Sequence, residues 1–171
     1  VYNSNASVEG ALINQISMGE YDNSFRIATT TTDSKTQKHY SNIFILGSDL
    51  KPLGSVTKLC EDQDVAVVRF DKNTAYLVTE ESGNPIAVSL SDKTNPKIVE
   101  DKNATSYSVY LHKYTDTKLL GIGAEVDDKG NQTGLKLSIY DSSNPSSLKE
   151  ISSVSIKDAK LSESFLDEVI N

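Results

Sequence analysis

A five-residue turn occurs twice in this chain and, decayed, a third time. Asp92-Lys93-Thr94-Asn95-Pro96 recurs as Asp141-Ser142-Ser143-Asn144-Pro145, each copy set between two apolar stretches. The two Asn-Pro pairs lie 49 residues apart. A degenerate copy, Gly47-Ser48-Asp49-Leu50-Lys51-Pro52, puts Pro52 44 residues before Pro96. An Asp carboxylate accepts backbone N–H groups in such a turn and Pro presets φ, so the motif joins two adjacent strands. Asp/Asn/Pro turns are common in β proteins; here the spacing carries the meaning.

The segments between these turns have a period of two. Ser24–Thr32, Asn42–Leu46, Val65–Phe70, Thr74–Thr79, Pro85–Leu90, Leu119–Gly123 and Gly134–Tyr140 are short, rich in β-branched residues and bounded by Asp, Asn, Gly or Pro, which is the strand signature. Only Val8–Ser17 and Ser162–Ile170 admit a helical reading, and neither sustains the period. The chain therefore reads as all-β. Four strands in roughly 40–50 residues make one propeller blade. The expected fold is β-propeller-like, with about three four-stranded antiparallel blades and part of a fourth. Blade one covers about residues 10–58, opening with a strand at Ala11–Ser17. Blade two covers 64–102, blade three 107–157, and 162–171 is the remnant of the next. A β-sandwich is the alternative, but it gives no reason for the recurrence.

Particular strings add to the period. Gly10–Tyr21 running into Phe25–Thr31, Val67–Phe70 with Thr74–Thr79, Tyr107–His112, Leu119–Gly123 and Gly134–Ser138 resemble, in collinear order from about Gly10 to Ser164, a family of secreted prokaryotic proteins. Their C-terminal β-propeller is distantly related to WD-type repeats. The resemblance implies a propeller and an extracellular or cell-envelope location, and it brings no catalytic residues with it. Blade one departs from the pattern in lacking Asn-Pro at its turn. The family's propellers need more blades than this chain supplies, so the chain is expected to be an excised portion.

Composition excludes several classes. With 24 Asp+Glu against 17 Lys+Arg and a net charge of −7, the chain lacks the positive stripe of a nucleic-acid binder. No apolar run approaches the ~20 residues of a spanning helix. Cys60 has no partner for a disulfide. The Ser/Thr/Asn load and the presence of only Arg26 and Arg69 suit a secreted surface protein. Asn5-Ala6-Ser7, Asn103-Ala104-Thr105 and Asn131-Gln132-Thr133 match the glycosylation pattern, as chance predicts in such a chain.

Candidate chemistry is sparse, and each case has an ordinary reading beside it. His39, in the polar stretch after the Thr run, and His112, after an apolar strand and a candidate to line the central channel, are the two histidines. Neither belongs to a cluster with zinc spacing. Glu80-Glu81 and Asp127-Asp128 are adjacent carboxylates, which point in different directions in a strand or turn. Asp127–Asn131 resembles a loose calcium loop without its closing Glu, and a hairpin connection is the better account. Cys60 has no His near it in sequence to activate a thiolate. Gly121-Ile122-Gly123 lacks the third Gly of a nucleotide fingerprint. Thr29–Thr32 reads as a solvent-facing strand.

No catalytic, cofactor-binding or metal-binding residue is therefore assigned, and no cofactor is expected. The expected role is a non-enzymatic, protein- or glycan-binding or scaffold module, without nucleic-acid binding or membrane insertion. The alternative is a hydrolase with its site at the axial channel of the complete propeller. Unpaired blade edges lead to a further expectation, a homodimer supplying about seven blades.

Overall fold

The computed structural model describes residues 4–79, 85–99, 110–127, 131–144 and 148–160. The expected remnant at 162–171 lies outside the described residues. Three antiparallel sheets follow one another along the chain. The first holds β1 (Ala11–Leu12), β2 (Met18–Tyr21), β3 (Ser24–Thr32), β4 (His39–Gly47) and β5 (Pro52–Leu59). The second holds β6 (Val65–Asp71), β7 (Thr74–Thr79), β8 (Pro85–Ser89) and β9 (Lys97–Val99). The third holds β10 (Tyr110–Thr115), β11 (Lys118–Val126), β12 (Gln132–Asp141) and β13 (Lys149–Lys157). From β2 to β5, β6 to β9 and β10 to β13 each strand pairs with the next in sequence, so each sheet is a four-stranded meander, and β1 adds to the first by pairing with β3 beyond β2.

Turn chemistry sets this topology. Tyr21 pairs with Ser24, Asp71 with Thr74 and Thr115 with Lys118, so a two-residue connection joins β2 to β3, β6 to β7 and β10 to β11. Asp22 and Asn23 both adopt left-handed φ (51° and 53°), as the favoured hairpin turn requires. The recurring Asp turn joins β4 to β5, β8 to β9 and β12 to β13. Asp49 accepts the Lys51 N–H at 3.1 Å, Asp92 the Thr94 N–H at 3.0 Å, and Asp141 the Ser143 N–H at 2.9 Å. The degenerate copy keeps the geometry without Asn-Pro, because the carboxylate makes the turn and Pro only reinforces it.

Alternation along the strands gives each sheet two faces. On the second sheet both are buried. Val68, Ala75, Leu77, Val88 and Leu90 pack with Ala28, Ile43 and Ile45 of the first sheet. Val67, Tyr76, Val78 and Ala87 pack with Leu111, Leu119 and Tyr140 of the third. Each fully buried Val, Leu or Ile adds roughly 1.5–3 kcal/mol, so these two layers hold the three sheets together. The face directed at the next sheet in sequence is called forward here and the other backward.

The first strand is not the continuous Ala11–Ser17 segment that the pattern suggests. It breaks into β1 and β2, and residues 13–17 loop out opposite Ala28. The break follows from where two apolar side chains go: Ile13 enters the first core layer and Ile16 the second. Ser17 closes the loop, donating its hydroxyl to Asn14 Oδ1 at 2.7 Å, while its carbonyl accepts the Ala28 N–H at 2.8 Å. Asn14 Nδ2 then donates to the Ala66 carbonyl of β6 at 3.4 Å.

Candidate interaction surface

In a meander of four strands, the first and third connections lie at one end. The second connection and the link to the next sheet lie at the other. The two ends are built differently. At the first, charged groups tie sheet to sheet. Lys93 Nζ sits 2.7 Å from Asp22 Oδ2, joining the second sheet to the first. Lys113 Nζ lies 3.1 Å from both Asp71 and Asp116, and Lys72 is 3.4 Å from Asp116, joining the third to the second. These cations hold the Asp22 and Asp116 carboxyls below the usual range. Arg26, 1% exposed, donates from Nη1 to the Lys72 carbonyl and stacks over the Tyr21 ring at 5.2 Å. Burial pushes its guanidinium down from the ordinary value. Backbones also meet closely here: a Cβ on Gly54 would stand 2.4 Å from the Lys93 carbonyl oxygen.

At the opposite end, among the described residues, side chains of the first sheet shape its two loops. Asp33 Oδ1 accepts the Lys35 and Thr36 N–H groups at 2.8 and 3.0 Å, closing the β3–β4 turn. Lys58 near the end of β5, and Cys60 and Asp62 in the link to β6, take left-handed φ of 61°, 50° and 54°. Such backbone costs non-glycine residues roughly 1–2 kcal/mol each, so neighbours must hold it. His39 does so. Its N–H donates to Asp62 Oδ1 at 3.2 Å, and its carbonyl accepts the Asp62 N–H at 3.0 Å. The imidazole stands between Asp62 (3.7 Å from Nδ1) and Asp64 (3.5 Å from Nε2). Lys38 bonds Glu61, which raises the lysine above its usual range. The result is a fixed acidic loop, Glu61-Asp62-Gln63-Asp64, whose Asp64 side chain is 72% exposed.

The sequence candidates disperse over this frame. His39 begins β4 instead of lying in the polar loop, because Thr32 pairs with it across the sheet. His112 lies on the innermost strand of the third sheet, stacked on Tyr110 with 6.2 Å between centroids, far from His39 in the sheet order. Asp127 accepts the N–H and side-chain amide of Asn131 and returns its own N–H to the Asn131 carbonyl, so the hairpin account of this run stands for its two described ends. Gly121 and Gly123 are buried in β11. The Thr run is not uniformly open: Thr29 is buried and donates to the Glu9 carbonyl at 2.7 Å. Half-buried Cys60 packs against the first core layer. Glu80, Glu81, Asp128 and Asn103 lie outside the described residues. Among the described residues no group of three His, Cys, Asp or Glu is placed to hold a metal ion. Sequence reasoning missed Arg26 and the His39–Asp62 clasp. The first has no local signal, and the second joins residues 23 apart.

Comparison with known proteins decides the family. The model of the family described as a β-propeller domain matches residues 1–168. The chain belongs to the β-propeller domain family. Its three sheets are therefore blades, with β2, β6 and β10 as their inner strands. The propeller is 36% identical over 146 residues to an uncharacterised protein of Methanocaldococcus jannaschii, covering 84% of this chain and 23% of that one. It is 34% identical over 145 residues to an uncharacterised protein of Archaeoglobus fulgidus, covering 84% and 22%. The chain thus spans less than a quarter of the length of these relatives. Among solved structures it is similar to the Pyrococcus horikoshii acylaminoacyl peptidase, with a TM-score of 0.55, 9% identity, and coverage of 88% of this chain and 27% of that one. At that identity the likeness is one of fold.

Proposed function

We propose that these blades belong to a non-enzymatic binding and scaffold module, and that the ligand, a protein or glycan, is met at the loop end. The observation that carries this reading is the contrast between the two ends. Among the described residues, one end uses its charges in blade-to-blade ties, and the other holds the acidic loop of blade one in an outward shape. A ligand offering positive charge or hydroxyl donors fits that loop, since preformed acceptors bind without an ordering cost. An extracellular or cell-envelope location accords with the Ser/Thr/Asn-rich, Arg-poor surface and with the resemblance to secreted propellers related to WD-type repeats. The peptidase likeness supplies no reaction, because fold alone does not imply chemistry.

The test is a glycan array together with a panel of basic peptides, run on the wild-type chain and on Glu61→Gln/Asp64→Asn. Binding that the double variant loses, with no product released from the bound ligand, supports the proposal. Turnover of a ligand by the wild type, or binding indifferent to the double variant, overturns it.

A further inference from the structure

Blade two is covered on both faces, whereas blades one and three each keep one face uncovered by a described blade. The forward positions repeat by register. Arg26, Tyr76 and Leu120 are the third residues of β3, β7 and β11, and Ile45, Ala87 and Ile139 stand opposite them. In blades one and two all of these are buried by the next blade. In blade three Leu120 and Ile139 are only half-buried, as are Ile122 and Leu137 beside them. On the outer strand, Val154 is 58% and Ile156 48% exposed. An apolar face of this extent across a sheet marks an interaction site.

We infer that this face is completed by a second copy of the chain, the forward face of blade three in one copy packing on the backward face of blade one in the other. Three observations choose this occupant. The contact continues an interface that the chain already makes twice, blade one to two and two to three. The two uncovered faces are the two halves of that interface. Their relief also matches: Val154 and Ile156 stand out from β13, while on blade one a groove of about 290 Å³ lies between Ser7–Glu9 and the outer strands, its apolar wall formed by Phe44, Leu46, Pro52 and Leu53. Pairing forward face on forward face would instead oppose two raised strands. Each copy gives one forward and one backward face, so two copies close head to tail through two equivalent contacts.

The experiment is light scattering and sedimentation of the 171-residue chain at micromolar concentration, with Val154→Lys (forward) and Leu53→Lys (backward). Both positions are exposed in the single chain, so circular dichroism and melting should show the variants folded. The wild type should have twice the chain mass. Each variant should dissociate at least about a hundredfold more readily, since a lysine enters an apolar contact twice per dimer. Mixing the two variants should restore a dimer through the one unaltered contact. A wild-type monomer, or open oligomers growing with concentration, overturns the inference. So does a Leu53→Lys dimer as tight as wild type beside a monomeric Val154→Lys, which would mean forward-on-forward pairing.

Discussion

Replacing Gly54 by Ala adds a single methyl group where β5 of blade one meets the turn of blade two. That methyl would stand 2.4 Å from the Lys93 oxygen and 2.8 Å from the Thr94 carbonyl carbon and oxygen. All three are backbone atoms, so no side chain can swing aside. The turn itself resists displacement, because Asp92 holds the Thr94 N–H at 3.0 Å and its hydroxyl at 2.7 Å while Lys93 is tied to Asp22. Relief requires blade two to retreat by roughly 1 Å, and overpacking of this kind costs about 1–3 kcal/mol. Gly54 is not at positive φ, so Ala also stiffens the unfolded chain, offsetting the loss by about 0.4–1 kcal/mol. The net expectation is a loss of about 1–2 kcal/mol, read as a melting point lower by about 2–8 °C at this chain length and checked by urea denaturation. Gly19→Ala is the control: the nearest atoms to its methyl would be those of the Phe70 side chain, from 3.1 Å, and it should cost less. A Gly54→Ala chain as stable as wild type, or more so, would refute the blade contact.

Other outcomes follow from the same structure. Arg26→Met should stay within about 1 kcal/mol of wild type or gain stability in urea unfolding, because Nε and Nη2 of the buried guanidinium have no hydrogen-bond partner, whereas Arg26→Ala should lose about 3 kcal/mol by leaving a cavity. Burial pushes the Tyr76 hydroxyl up to about 12, with the nearby Asp71 charge acting in the same direction. The unfolded tyrosine ionises first, near pH 10, so stability should fall as pH rises from 10 to 12, and Tyr76→Phe should remove that fall from the pH profile of the urea midpoint. Asp33, Asp92 and Asp141 are held below the usual carboxyl value by side-chain and backbone hydrogen bonds of their turns. Their folded carboxyls release protons more readily than the unfolded ones. Stability should therefore be complete above about pH 4 and decline on further acidification, as the same titration will show.

The repeat was legible in the sequence because Asp92 and Asp141 act locally: a carboxylate bonding an N–H two residues on leaves its mark within five letters. The strands were legible because blade faces are apolar, and Val65–Phe70 reads as a near-continuous run since both sides of blade two are covered. The broken first strand was not, because Ile13 and Ile16 follow no strand alternation and each answers to a different core layer. Arg26 was hidden for a similar reason. Its place is set by a carbonyl 46 residues away, in the next blade. The acidic loop was not legible, because its shape depends on His39, 23 residues away, which the polar letters around it placed in a loop.

Consecutive blades lie side by side, each tied to the next at the hairpin end. Zero-length carbodiimide coupling, with peptide mapping of the monomer band, tests this directly, since only carboxylates and amines in contact are joined. Coupling of Asp22 to Lys93 and of Asp71 to Lys113 is the predicted result, with Asp49 to Lys51 as the internal control within one turn. Recovery of the Asp49–Lys51 product without either blade-to-blade product would contradict the arrangement.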